Sequence, residues 1–386
     1  MSYKHLFRRT IDALPERLHL AAHSHHLWPD ASHDGHRGAW EDAAQLADRK
    51  WERIMGEVWP AAQAEVVAEL RMFDPCSIVF APNTHELIVR LVSAIDRARP
   101  VKVLATDGEF HSFRRQSVRW EAAGEMVVER VPVAPFDSLA DRFMAAAQAG
   151  GHDLIFVSHV LFNSGLVFDR VFELAELARP EWPWVVIDGY HGFMAVETDL
   201  SPIADRVFYT AGGYKYAMAG EGAAFLHCPP GFGPRPVNTG WYAEFDDLSL
   251  PPGSVGYAPD AMRFMGSTFD ASGLYRFVAV RKMLEAEGLS TAAISEHVAR
   301  LHGRLLQVIA NTALGDAELL NPLSDRPHAR FLAFRSPHAQ RWQAELMTRD
   351  VITDVRGDVL RIGIGLYNDE SDIARFATEA MHLGGH

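Results

Sequence analysis

Cysteine is scarce in this chain: Cys76 and Cys228 are the only two among 386 residues. That scarcity excludes a disulfide framework and a cysteine-rich zinc site, and points to a reducing, cytoplasmic setting. No stretch approaches the ~20 apolar residues that a membrane helix requires. The start, Met1-Ser-Tyr-Lys-His-Leu-Phe-Arg-Arg9, has no apolar signal region. Positive charge is also in deficit, with 37 Lys and Arg against 50 Asp and Glu and a formal net charge of −13. Nucleic acid and anionic membrane are therefore excluded as partners, because both call for basic patches. A local basic pocket for a small anion stays open. Internal repeats, low-complexity stretches and obvious linkers are missing too. What is left, 48% hydrophobic and 23% charged residues, is ordinary for a globular protein. The length allows one large and one smaller domain, each with its own core.

Hydrophobic periodicity supplies the outline. Apolar residues at three- and four-residue steps (Trp40, Ala43, Leu46, Ala47, then Trp51, Ile54, Met55, Val58) predict helix over about 34–70. Beyond it, short apolar strands are expected at 78–80, 101–105, 126–131, 153–158, 184–187, 207–209 and 223–226, with helices at 85–95, 139–149 and 172–179 between them. Such alternation means a mostly parallel sheet covered on both faces, with ligands at the carboxyl ends of its strands. The stretch 229–259 is rich in Gly and Pro and reads as irregular. Helices at 273–287 and 291–309, strands at 330–335 and 359–363 and a helix at 340–349 read as a smaller α+β unit. The expected division is 15–275 for the large domain and 276–386, completed by 1–14, for the small one.

Two residues stand out against this outline. Asp188 ends the apolar run Trp184-Val-Val-Ile-Asp-Gly-Tyr-His191, and Lys215 follows two glycines in Tyr209-Thr-Ala-Gly-Gly-Tyr-Lys-Tyr216. A lysine that carries pyridoxal phosphate (PLP) as a Schiff base needs a carboxylate to keep the pyridine nitrogen protonated. It also needs a small-residue turn that lets backbone approach the cofactor. A helix-capping aspartate and a surface lysine beside a glycine turn would read alike, so the neighbouring loops matter. Thr84 sits at a strand-to-helix turn, where free N–H groups and the helix dipole favour phosphate, although a plain N-cap fits as well. Phe110, in Gly108-Glu-Phe-His-Ser112, could stack on a ring or simply fill core. His191 could lie over or beside that ring. Arg361 is suited to a two-pronged grip on a carboxylate, with Arg356 a weaker candidate.

Taken together, Glu109-Phe-His-Ser112, Asp188-Gly-Tyr-His191, Gly213-Tyr-Lys-Tyr216, Gly240-Trp241 and the run Asp354-Val-Arg356 through Leu360-Arg361 to Leu366-Tyr-Asn368 resemble PLP enzymes of fold type I, the class V aminotransferase superfamily. Within it they look most like kynureninase. The resemblance implies a mostly parallel α/β large domain and a small α+β domain. It implies Lys215 as the cofactor lysine and proton shuttle, Asp188 on the pyridinium nitrogen, Phe110 on the ring, and Tyr214 and Thr84 at the phosphate. His85, Ser164, His191 and Thr268 join the expected cofactor set, and Trp241 closes the phosphate cup from the neighbouring subunit of a homodimer. Catalysis falls to Lys215, Asp188 and His191. Arg361 would take the α-carboxylate, with His23 and His25 on the substrate side. The implied reaction is hydrolytic Cβ–Cγ cleavage of a small amino-acid substrate; a class V aminotransferase, lyase or epimerase is the alternative.

Departures fall in loops on the substrate side. The family's N-terminal loop is replaced by Ala22-His-Ser-His-His26, Ser267-Thr-Phe-Asp270 lacks the usual prolines, and Gly220-Glu-Gly222 carries a charge. Desulfurases of the superfamily need a mobile-loop cysteine, and neither Cys76 nor Cys228 is placed for it. A rival of another class is a metal-dependent hydrolase using His23 and His25, a spacing that zinc sites use. No later ligand set matches it, and no metal is expected.

Overall fold

The structure, a computed structural model, describes residues 2–96, 98–244, 251, 253–324 and 326–384; part of the Gly/Pro-rich stretch 229–259 lies outside them. A seven-stranded sheet forms the centre, in the order Ile78–Ala81, Ala224–His227, Val207–Ala211, Trp184–Asp188, Leu154–Ser158, Val101–Thr106, Met126–Val131. From Val207–Ala211 to Met126–Val131 every pairing is parallel, while Ala224–His227 runs antiparallel to both its neighbours. Leu154–Ser158, Trp184–Asp188 and Val207–Ala211 are buried along their whole length. That is why they are continuous apolar runs with no alternation. Helices cover the sheet; Phe113, for example, stacks face to face on Phe156 at 3.9 Å.

A second, four-stranded antiparallel sheet is built from Asp354–Arg356, Val359–Gly363, Phe331–Arg335 and Glu318–Leu319, in that order. The helix Ala339–Met347 lies against it, and the helices Thr291–Ile309, whose Ser290 cap accepts from Ala293 N, and Glu370–Ala380, which starts with a capping box at Asp369, pack on each other. The N-terminal segment joins this side: Leu18–His19 pairs in parallel with Val351–Ile352, and Ala21 bridges to Gly363. The same segment then reaches the central sheet, where His26 N donates to Tyr214 O.

The expected strands form, each within a residue or two of its predicted bounds. The helix expected over about 34–70 is interrupted. It runs as Asp30–Leu46, turns at Ala47 with φ 53°, passes through short 3-10, α and π segments, and resumes at Trp59–Glu69. Among the described residues three α-helices were not expected: Arg8–Asp12, His111–Ala122 and Glu370–Ala380.

Candidate active site

The parallel strands bring their carboxyl ends to one place. Asp188 is the last residue of Trp184–Asp188, and its register partners are Ser158 on one side and Thr210 on the other. Val207–Ala211 leads directly into Gly212, Gly213 and the lysine. Side chains at those two glycines would collide: a Cβ on Gly212 would sit 2.4 Å from the Tyr190 hydroxyl, and one on Gly213 2.8 Å from Gly220 O. The turn can therefore fold tightly enough to aim Lys215 back over the strand ends. Arg276 fixes the following loop by donating to Ala219 O at 2.6 Å and to Glu221 O.

The result is a cavity of about 160 Å³ lined by Asn83, Thr84, His85, Phe110, Ser158, Phe162, Asp188, Tyr190, His191, Tyr214 and Lys215 among others. Lys215 is buried, with Nζ 2.5 Å from His191 Nε2 and 4.9, 5.5 and 5.8 Å from the ring centres of Tyr190, Phe110 and Tyr214. Burial among these rings drives its pKa down to about 7, against the pull of Asp188 in the other direction. Burial raises the Asp188 carboxyl, partly offset by the Tyr190 N–H bonded to Oδ1 at 2.9 Å and by Lys215. Burial, then the Lys215 charge, pushes His191 well below its ordinary value, so the imidazole is neutral, and its Nδ1 has no hydrogen-bond partner. At another wall begins the helix Thr84–Ser93. Asn83 accepts from Glu86 N at 3.0 Å, and the remaining first-turn N–H groups lack intrahelical acceptors.

Of the expected cofactor residues, Thr84, His85, Phe110, Asp188, His191, Tyr214 and Lys215 share this cavity. Ser164 does not line it; its hydroxyl, buried nearby, accepts from Leu166 N. Trp241 and Thr268 are exposed and stand outside it. Arg361 is buried behind Phe162, over whose ring it lies at 5.8 Å. It donates to Phe162 O and is ion-paired with Asp354, which also holds Arg356 at 3.0 Å. His23 is buried beside this cluster, 3.7 Å from Asp354, and burial with the Arg361 charge lowers it to about 3. His25 is exposed and stacks on Tyr214 at 5.1 Å. The two histidines of the metal reading thus face different surroundings, and among the described residues no group of three or more His, Cys, Asp or Glu is placed to hold a metal ion. Tyr190, Phe162, Asn83 and Asp354 were not singled out from the sequence. For Tyr190 the signal was its place two residues after a strand-end aspartate.

Residues 294–379 match the family described as the kynureninase C-terminal domain; the matched segment contains Asp354, Arg361, Tyr367 and Asn368. No curated protein matches the chain. Among solved structures, the cystine C–S lyase C-DES in complex with its reaction product cysteine persulfide aligns with a TM-score of 0.82 at 16% identity, covering 97% of this chain and 100% of that one. A lysine-to-alanine variant of C-DES with glycine covalently linked to its PLP cofactor gives 0.80 at 16% identity, over 98% and 99%. A cysteine desulfurase from Thermococcus onnurineus NA1 gives 0.79 at 18% identity, over 99% and 98%. These likenesses establish the fold, which is fold type I of the PLP-dependent enzymes. Among the described residues no helix is long and apolar enough to cross a membrane.

Proposed function

We propose that this protein is a PLP-dependent enzyme acting on an α-amino acid, with Lys215 as its cofactor lysine. One observation carries the reading: a buried lysine held near neutrality and a buried aspartate face the same cavity, which a helix start and an aromatic ring also wall. The residues fit the cofactor. Asp188 offers a carboxylate for a ring nitrogen, Phe110 a face for the ring, His191 an unpartnered Nδ1, and the Thr84–Ser93 helix a positive end for a phosphate. When bound, PLP supplies the electron sink for a carbanion at the substrate Cα.

The remaining work belongs to the chain. Lys215 Nζ, uncharged in a good fraction of molecules near pH 7, takes the proton from Cα and can return it. Asp188 would keep the ring nitrogen protonated when the cofactor is bound. Neutral His191, 2.5 Å from Nζ, orients the amine without competing for charge. Phe162, Tyr190 and Tyr214 exclude water from the reacting side. Arg361 receives the α-carboxylate once the substrate replaces part of its present bonding to Phe162 O and Asp354. Trp241 and Thr268 complete the site from a second copy of the chain.

Within this class we favour kynureninase-like hydrolysis, in which water adds to a side-chain ketone and the Cβ–Cγ bond breaks to give alanine and an anthranilate. The C-terminal family match supports it. Neither cysteine lines the cavity, and Cys228 is buried with its thiol pushed up to about 12 by burial. A desulfurase reaction through a cysteine of this chain is disfavoured. The test is to load the purified chain with PLP, reduce one portion with borohydride and locate the modified lysine by mass spectrometry, and supply kynurenine to an unreduced portion. Label on Lys215 and release of anthranilate support both levels. Label on Lys215 with keto-acid release instead selects the aminotransferase. Label elsewhere ends the proposal.

A further inference from the structure

Beneath the cavity lies a second acid that the reading above leaves unused. Glu109 is 2% exposed and touches no cation; its partners are two hydroxyls and the Ser158 backbone N–H. Thr106 Oγ1 lies 2.7 Å from Oε1, and Ser158 Oγ lies 2.6 Å from Oε2. Thr106 ends the strand Val101–Thr106, and Ser158 ends Leu154–Ser158, directly beside Asp188 in the sheet. Ser158 also lines the cavity. Glu109 therefore connects to the site through one hydroxyl, and the charged neighbour acting on it is Asp188, of like sign.

Two buried carboxyls within electrostatic reach of each other do not both ionise readily, and the better-supported one keeps the charge. Asp188 has the stronger support, a backbone N–H and the Lys215 amine. Glu109 has the two hydroxyls and the Ser158 backbone N–H, but no cation. Its burial, opposed by those two hydroxyls, raises it to about 7. Proton count then fixes the hydroxyls. An ionised Glu109 would accept from both Ser158 and Thr106. A protonated one must donate through one of the two contacts, and if that contact is Ser158, the serine proton is released from Glu109 and can point into the cavity.

We propose, on the reading that Asp188 and Lys215 hold PLP, that Glu109 is a positioning residue that keeps its proton, leaves the negative charge on Asp188, and turns the Ser158 hydroxyl as a donor toward an acceptor atom of the bound cofactor. Nothing is transferred in this step; a proton is shared along Glu109–Ser158 and the charge stays on Asp188.

The test compares Glu109→Gln, Glu109→Ala, Ser158→Ala and Asp188→Asn as full-length protein. Infrared difference spectra between the wild type and Glu109→Gln, taken in mildly acidic buffer before PLP is added, should show one protonated-carboxyl band that is absent from the variant. The band should remain but shift in Asp188→Asn, where the like charge is gone. Visible titration with PLP should then find Glu109→Gln, which can still donate to Ser158, binding more tightly than Glu109→Ala by about tenfold or more, since Ala takes away the group that both buried hydroxyls bond. Ser158→Ala should weaken PLP binding by about threefold to tenfold, as expected for one lost hydrogen bond. No carboxylic-acid band, or Glu109→Gln as impaired as Glu109→Ala, would overturn the inference. The infrared result stands without PLP, so failure of the wild type to take up the cofactor would sink the cofactor reading while Glu109 was still judged on its own band. If Glu109→Ala does not fold, the Gln spectrum and the Ser158→Ala titration still decide.

Discussion

At the ends of the central strands, Asp188 and Lys215 face a cavity with little besides each other and a neutral histidine to satisfy them. In the small sheet, Asp354 sits opposite Arg361 in the strand register and takes both Arg361 and Arg356 as ion-pair partners. Both regions bury charge. One leaves its charges facing open space, and the other closes them on each other. Burying a charge without good partners is costly, so an arrangement of the first kind persists where a ligand supplies the missing partner. The second kind is self-sufficient, and a ligand must displace something to enter it. That difference separates groups primed for a cofactor from groups that select a substrate. It also predicts very different responses to mutation.

The largest effect is expected at Lys215. Lys215→Ala should abolish the yellow complex with PLP and all turnover, because among the cavity-lining residues no other amine can hold the cofactor and reach Cα. An Ala variant that still turns over substrate would break the contrast at its strongest point. Next is Asp188→Asn, which should retain PLP but lose about a hundredfold or more in kcat. An amide cannot keep the ring nitrogen charged, and preorganised electrostatics of this kind are commonly worth ~3 kcal/mol or more. The kcat profile of the wild type should have an acid limb near 7, falling as pH drops, since burial sets Lys215 there and the protonated amine cannot accept the Cα proton. A profile flat through that region would assign proton removal to another group.

The cavity half of this contrast was legible in the sequence for a physical reason. Strands buried on both faces are unbroken apolar runs, so Trp184-Val-Val-Ile-Asp188 and Leu154-Ile-Phe-Val-Ser158 announce their own ends, and ends of parallel strands converge. Glycine pairs mark the lysine turn. The helix His111–Ala122 was not legible, because only Phe113 and Ser117 of its twelve residues are buried and no apolar stripe exists. Glu370–Ala380 could have been found: Asp369 and Asp372 form a capping box ahead of Ile373, Phe376 and Ala380. The turn at Ala47 carries no glycine or proline to signal it. The closure of Arg361 on Asp354 depends on a strand register between residues seven apart, and the interposed Phe162 comes from a distant loop. Alternation placed Arg361 on the opposite face from Leu360 and Ile362, but it could not show what stands between that face and the cavity.

Arg361 is where the contrast can be sharpened. Arg361→Lys should raise KM for an amino-acid substrate by about tenfold to a hundredfold, as expected when a charge-assisted, two-pronged contact worth roughly 1.5–3 kcal/mol becomes a single one. The spectrum of the resting PLP-bound protein should not change, because Arg361 lies behind Phe162 and does not line the cavity. If the spectrum shifts and KM does not, Arg361 serves the cofactor and the division between the two regions is wrong. If neither changes, the carboxylate site belongs elsewhere, with Arg356 the first alternative.

The smallest effect is expected where charges are satisfied far from the cavity. Lys4 Nζ lies 3.0 Å from Asp369 and 2.9 Å from Asp372, and Asp369 also accepts from Ser371 N at 3.0 Å to cap the final helix. Asp369→Ala should cost about 1–2 kcal/mol of stability, most of it from the lost cap, because the Lys4 side chain is 35% exposed and its ion pair is correspondingly weakened by solvent. Burial tends to raise Asp369, but the bonds from Ser371, Ser2 and Lys4 hold it below the ordinary carboxylate value. Its stabilisation is therefore fully present above the unfolded carboxyl's pKa and is lost as pH falls through the lower folded value. Denaturant midpoints of wild type and variant should differ at neutral pH and converge in acid, while PLP affinity stays the same. A variant that lost cofactor affinity along with stability would mean that the small-sheet side and the cavity are energetically one unit, and the contrast between self-satisfied and ligand-facing charge would not hold.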